Sequence, residues 1–288
     1  MILISLLIAI GLDRVVTRSD YWRSAWVTDK TLGVVCKNSD GDTGKWRIWL
    51  GLVIPALLLM VLECVLFGNF ITFIVQTLVL FLALGCSSAR STYKNWLQSA
   101  QREDAEACDL YAMQLHKGLL GRDDDSALAD DGTLIQRLLL LANFQFYAAV
   151  IIFFIVLGGP GALLYMTVRE AHRYFMAANF ACAKHSASLL HILEWIPARL
   201  TAFGFLVVGH FSRALPVWLE YVSSRHIVAE QLLWRVGRQA EIIEPKDCDA
   251  CSKMMACTHV LASVRLAKRN ILFLLVVAAV LTLSGWLV

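Results

Sequence analysis

An α-helix rises 1.5 Å per residue, so about 20 consecutive apolar residues cross the roughly 30 Å of hydrocarbon in a bilayer. Three stretches of this chain meet that requirement: 48–67 (IWLGLVIPALLLMVLECVLF), 70–86 (FITFIVQTLVLFLALGC) and 271–288 (ILFLLVVAAVLTLSGWLV). A water-facing fold of 288 residues has too little polar surface to cover them. Hydrophobic residues make up 58% of the chain and charged residues 17%, against about 45–50% and about 25% in a globular domain. The mean hydropathy is +0.62. These values exclude a soluble monomer, a disordered regulator and a secreted disulfide scaffold. The net charge of +3 is too small to point to nucleic acid. The lipid bilayer is the first partner the sequence implies.

Only Gly68 and Asn69 separate the first two runs, which predicts a tight helical hairpin. Three further stretches are ambiguous. Residues 1–12 are apolar but short, and the charge of Asp13-Arg14 follows them; a signal peptide carries its positive charge first and a small-residue cleavage site after. A retained helix is expected there. Residues 138–165 form a long apolar run that Gly158-Gly159-Pro160-Gly161 interrupts. Proline removes a backbone donor and glycine weakens a helix, so one straight helix is not expected. Residues 200–211 are apolar over only half a span. The rest of the chain reads as helical, with 91–119 a single amphipathic helix closed by Gly118 and Gly121. The fold class is all-α: a polytopic helical membrane protein with cytosolic helical segments.

Positive charge sets orientation. Arg14, Arg18, Arg23, Lys30, Lys37, Lys45 and Arg47 precede the first span; Arg90, Lys94, Arg102, Lys117, Arg122 and Arg137 follow the second; Arg265, Lys268 and Arg269 precede the last. All three groups are expected in the cytosol, so the chain crosses an even number of times between 138 and 269. Zero crossings make the Gly158–Gly161 region the tip of a re-entrant hairpin, and two pair 138–165 with 200 onward. The expected organisation is an N-terminal helix and transmembrane hairpin (1–89), a cytosolic helix and acidic loop (90–137), and a broken apolar segment (138–218). A cytosolic helical segment (219–269) and a C-terminal transmembrane helix (270–288) complete it.

Chemistry-bearing motifs are sparse. Around Ser39-Asp40-Gly41-Asp42-Thr43-Gly44-Lys45 a phosphate loop lacks its first glycine and final hydroxyl, and a calcium loop lacks its closing acid. Asp123, Asp124, Asp125, Asp130 and Asp131 form an acidic loop suited either to a hard cation or to plain solvation. The eight cysteines include Cys248-x-x-Cys251, with Cys257 and His259 beyond it, but no matched second pair for zinc. His172, His185 and His191 have no ligand spacing. No metal and no cofactor are expected. Glu63 and Gln76 lie inside apolar runs, where an ionisable group is a functional suspect, although Glu63 sits near enough to the end of its run to snorkel to the interface.

The string Leu157-Gly158-Gly159-Pro160-Gly161-Ala162-Leu163-Leu164-Tyr165, followed by Glu194-Trp195-Ile196-Pro197-Ala198-Arg199-Leu200-Thr201, resembles the CobD/CbiB cobalamin-biosynthesis membrane proteins and their relatives of the AmpE family. Leu119-Leu120-Gly121-Arg122-Asp123 and Leu12-Asp13-Arg14 are similar blocks. Asn143-Phe144-Gln145-Phe146-Tyr147, Gly209-His210 and Ala214-Leu215-Pro216-Val217-Trp218 resemble the AmpE branch in particular. The resemblance covers most of the chain.

The cobalamin branch condenses a corrinoid acid with an aminopropanol moiety at the expense of ATP, and this implies a set of carboxylates. On this spacing they fall on Leu138, Ala142 and Phe146, leaving Asn143, and a later Asn-x-x-Asp falls on Arg169, Glu170, Ala171 and His172. Alanine, leucine and phenylalanine can neither bind Mg²⁺ nor take a proton. The resemblance therefore implies an AmpE-like regulatory or sensor protein of the bacterial inner membrane, acting in β-lactamase induction and muropeptide recycling by binding rather than turnover. It implies a muropeptide or nucleotide ligand and a cytosolic amidase partner. The residues expected to meet ligand or partner are Arg122, Asp123, Asp124, Asn143, Pro160 and Arg199. An ATP- and Mg-dependent amide-forming enzyme and a transporter of cell-wall fragments are the alternatives.

Overall fold

The computed structural model describes residues 2–15, 44–65, 68–85, 87–121, 133–178, 180, 183–241 and 252–285, and among them every regular element is helical. In chain order these are α1 (Ile2–Val15), α2 (Gly44–Val65), α3 (Asn69–Ala83), α4 (Ser87–Gln101), α5 (Ala105–Leu120), α6 (Leu134–Asn143), a π-helical turn (Phe144–Ala148), α7 (Ala149–Ala177), α8 (Ala183–Val208), α9 (Phe211–Val222), α10 (Ala229–Ala240) and α11 (Ser252–Leu283). The expected all-α class is observed.

Among the described residues, four stretches have the length and apolarity to cross a membrane: Phe70–Gln101, Leu134–Ala177, Ala183–Val208 and Thr258–Leu283, with shorter apolar helices at Ile2–Asp13 and Leu50–Val65. Their outer faces are apolar. Leu272, Val276, Val280 and Leu283 recur at helical spacing on α11, and Leu50, Ile54, Leu57, Val61 and Val65 do so on α2; all are exposed. A soluble surface does not carry apolar stripes of this extent, whereas lipid tails cover them. This is a membrane protein.

The chain divides into two compact units. The first comprises Met1–Gly85, Phe146–Leu193 and Leu275–Val288. In it α3 packs on α1 and on α7, and α2 packs on α7. Asp13, Gly85 and Tyr147 pin three of its segments together. The Tyr147 hydroxyl donates to Asp13 Oδ2 at 2.8 Å. Gly85 has φ +86°, and a Cβ there would fall 1.9 Å from Asp13 Oδ1, so only glycine permits the approach.

The second unit comprises Cys86–Gln145 and Glu194–Leu274. Here α5 packs on α4 and α6, and α10 on α6 and α9. The single helix expected over 91–119 is two. Glu103 takes φ 59° and ends the first, and Asp104 restarts the second by accepting the Ala107 amide at 3.1 Å, the ordinary work of an N-cap aspartate. Gly121, with φ 68°, closes α5 in the left-handed conformation, as the sequence suggests. Of the half-length apolar stretch expected at 200–211, residues 200–208 belong to the longer α8, and Phe211 opens α9.

Candidate functional site

The Gly-Gly-Pro-Gly break shapes the first unit. Gly158 takes φ 68° and ψ −154° inside α7, a conformation outside any helix. In a straight helix Phe146 and Arg169 would lie about 35 Å apart along the axis, and Phe153 and Tyr165 about 18 Å. Instead the Arg169 guanidinium carbon sits 4.1 Å from the centre of the Phe146 ring. The Phe153 and Tyr165 rings stack at 5.1 Å. A Cβ on Gly161 would stand 2.7 Å from the Phe153 carbonyl oxygen and 2.4 Å from Leu157 Cβ. The helix therefore folds back on itself at Gly158, and the glycines let its two arms touch.

Pro160 is buried just past this tip, and two residues the sequence marks separately meet it there. Gln76 on α3 donates Nε2–H to Glu63 Oε2 on α2 at 3.2 Å. A Cβ on Gly159 would lie 3.0 Å from both Gln76 Cγ and Glu63 Oε1. Glu63 Oε1 is buried and has no hydrogen-bond partner among the described residues. Gln76 stands seven residues into α3, about 10 Å of helix from its start. Glu63, close to the end of its own run, thus points to a partner within the apolar layer.

Sequence reasoning missed a second constellation in this unit. Arg169 and Glu170, their side chains each 1% exposed, pair at 2.9 Å; Arg169 Nε also donates to Glu170 Oε1 at 3.2 Å. Arg173 approaches the other carboxylate oxygen at 3.3 Å. His172 Nδ1 lies 3.0 Å from Ser186 Oγ. These are the positions on which the resemblance lays an Asn-x-x-Asp. They hold an ion cluster in which two arginines share one carboxylate, with the Arg169 guanidinium over Phe146 and Tyr165. An Arg-Glu neighbour pair in sequence carries no signal that both will be buried.

In the second unit Arg199 is an anchor. Its Nε donates to the Val222 carbonyl at 2.9 Å, its Nη1 to the Trp195 carbonyl at 2.8 Å, and its Nη2 to the Ser224 carbonyl. The guanidinium lies 4.2 Å from the centre of the Trp195 ring, and Trp218 Nε1 donates to the Arg199 carbonyl at 3.3 Å. The planar fork of arginine thus caps the end of α9 and ties it against α8. Gln145 Nε2 donates to Glu194 Oε1 at 3.0 Å.

Among the described residues, the buried Asn143 Oδ1 at the end of α6, the Thr201 hydroxyl and the side-chain amide of Asn270 have no hydrogen-bond partner. A Cβ on Gly204 would fall 2.0 Å from Asn270 Oδ1. Glu241 receives two hydrogen bonds from Arg269 Nη2, at 3.0 and 2.9 Å. Burial pushes its carboxyl above the usual carboxylate range, against the pull of Arg269, Arg265 and His210.

Of the residues expected to meet a ligand, Asn143 and Arg199 belong to the second unit and Pro160 to the first. Arg122, Asp123 and Asp124 lie outside the described residues, as do the rest of the acidic loop, Ser39–Thr43, Cys248 and Cys251. No group of three His, Cys, Asp or Glu side chains suited to a metal ion occurs among the described residues.

A family model described as "Regulatory signalling modulator protein AmpE" matches residues 1–288. "Protein AmpE" of Shigella flexneri is 32% identical over 243 residues, 81% of each chain. No solved structure matches.

Proposed function

The chain belongs to the AmpE family of regulatory signalling modulators, and from that premise we propose that it is a multi-pass protein of the bacterial inner membrane that tunes β-lactamase induction in response to muropeptides. The observation that carries this reading is a family match over the full length of the chain. Binding rather than turnover is its mode of action. The positions on which the resemblance lays the synthetase carboxylates are buried apolar Leu138, Ala142 and Phe146, and Arg169 and Glu170 satisfy each other.

The fold-back of α7 supports the re-entrant alternative for the Gly158–Gly161 tip. On that reading α7 enters and leaves the bilayer from the cytosolic side, while α2, α3 and the apolar end of α11 cross fully. Both arms then meet at a tip inside the bilayer, and every cluster of Lys and Arg stays in the cytosol. α8, which carries His185, His191, Glu194 and Arg199, starts on that same side.

The ligand or amidase-binding surface is the cytosolic loop of Arg122, Asp123 and Asp124, with Asn143 and the α9 segment that Arg199 holds in place. An arginine beside carboxylates suits the mixed acid and amide groups of a muropeptide. The test is complementation. In a host with an inducible chromosomal β-lactamase, deleting the gene is expected to alter β-lactamase activity after exposure to a β-lactam, and the wild-type gene to restore it. The R122A/D123A variant is expected to accumulate in the membrane without restoring it. Induction that ignores the deletion would refute the role; full restoration by R122A/D123A would refute the surface.

A further inference from the structure

We propose that Glu63 is a proton-binding site inside the membrane, held as the neutral carboxylic acid against the re-entrant tip at Gly158 and Gly159. This goes beyond the regulatory role and rests only on the protein being membrane-embedded.

The argument begins with what surrounds the carboxyl group. One oxygen accepts from the Gln76 amide at 3.2 Å, and the other is buried with no partner among the described residues. α3 carries no ionisable side chain over Asn69–Ala83. The arms of α7 carry none but Tyr165 between Ala149 and Val168, and α1 none before Asp13. The stretch of α11 in this unit has none from Leu275 to Gly285. On α2 itself the other ionisable groups are Cys64, beside the carboxyl, and Lys45 and Arg47 near the opposite end, at least 16 residues or about 24 Å of helix away.

The charged groups of this unit that face α7 are elsewhere. Arg169, Glu170 and Arg173 begin 11 residues from the tip, about 16 Å along the second arm, and Asp13 is bonded to Tyr147 at the base of the first. Among the described residues, an anion at Glu63 would have one amide for company and no countercharge. An isolated carboxylate in an apolar layer costs several kcal/mol, whereas the protonated form avoids that penalty.

Geometry supplies the second support. The freed carbonyls at the end of the first arm of α7 are acceptors at membrane depth, which persist only where something answers them. A carboxyl O–H is a donor that an ionised glutamate lacks. The absence of a side chain on Gly159 lets the tip approach the carboxyl, since a Cβ there would lie 3.0 Å from Glu63 Oε1. Releasing that proton replaces a donor with a charge at the contact between the tip and α2. Proton occupancy and hairpin seating are thereby linked.

The test uses the full chain in lipid nanodiscs and infrared spectroscopy. Wild-type protein at pH 7 is expected to show the carbonyl stretch of a protonated carboxyl, shifted in D₂O and lost in E63Q. The E63Q variant, a neutral isostere, is expected to fold like the wild type. As pH rises the wild type is expected to lose stability when the proton leaves, because the folded state binds it more tightly than the unfolded chain; E63Q loses that dependence. A spectrum at pH 7 without the band, or with the same band in E63Q, overturns the proposal. So does an E63Q protein that fails to fold. A band abolished by Na⁺ or K⁺ at fixed ionic strength and pH would assign the site to a metal cation instead and equally overturn it.

Discussion

Removing Arg169 tests whether the buried ion cluster is a lock or a ligand site. In R169M the stem is retained, but both hydrogen bonds to Glu170 Oε1 are lost, together with the stacking on Phe146 at 4.1 Å. Glu170 then remains 1% exposed with Arg173 as its ion partner at 3.3 Å. Breaking a buried pair costs about 3–5 kcal/mol because one charge is left uncompensated. Arg173 is 26% exposed and recovers part of that, so about 3 kcal/mol is expected, a factor of roughly 100 in the unfolding equilibrium. Replacing both partners is different. R169M/E170L removes the stranded charge as well and is expected to fall within about 1 kcal/mol of wild type. E170L in turn strands Arg169, also 1% exposed, and is expected to cost about 3 kcal/mol or more, so the coupling, the double-mutant change less both singles, is about 5 kcal/mol in magnitude. Reversible unfolding in mixed micelles, followed by circular dichroism, measures all the corners of the cycle. A single-mutant loss below about 1 kcal/mol, or a double mutant as unstable as the sum of the singles, would refute the reasoning.

The tip glycines are predicted to differ in how they fail. At Gly158 a Cβ has room, its nearest neighbours being 3.5 and 3.8 Å away, so G158A pays only for its backbone conformation, about 1–3 kcal/mol. G161A adds a collision between the arms, and thermal unfolding should rank it at least as unstable despite alanine's better helix propensity. R199K keeps the charge but loses the fork, and is expected to cost about 2 kcal/mol locally. Hydrogen exchange would show this as roughly tenfold or greater loss of protection over Phe211–Val222, with α5 unchanged. The raised carboxyl of Glu241 means that the folded chain holds this proton more tightly than the unfolded one. Stability is then fullest below the ordinary carboxylate range and declines as pH rises through the folded value; E241Q should flatten that part of the stability–pH curve.

The helical membrane class was legible because hydropathy runs and glycine or proline punctuation are local signals. The break at Gly158–Gly161 was legible for the same reason. Its consequence was not, since a kink and a reversal share one sequence pattern, and only the contacts of Phe146 with Arg169 and Phe153 with Tyr165 tell them apart. Glu63 and Gln76 each stood out as polar residues in apolar runs, yet their pairing depends on how α2 and α3 meet α7. Arg199 stood out as part of a distinctive block, but the sequence cannot separate a side chain that waits for a ligand from one that caps a neighbouring helix. The Arg169–Glu170 pair gave no warning, because charged residues ending an apolar run ordinarily mark its exit to water. Glu103 was missed as a helix breaker because nothing in its residue type demands a positive φ.

The fold-back of α7 supports both the re-entrant topology and the carboxyl at its tip, and one distance tests it. With spin labels at positions 147 and 174 of protein in nanodiscs, a straight helix separates the labelled residues by about 40 Å. Arms packed side by side at helix-to-helix distance bring them to roughly 15–20 Å. The account predicts a distribution centred in the shorter range. A population near 40 Å would contradict it.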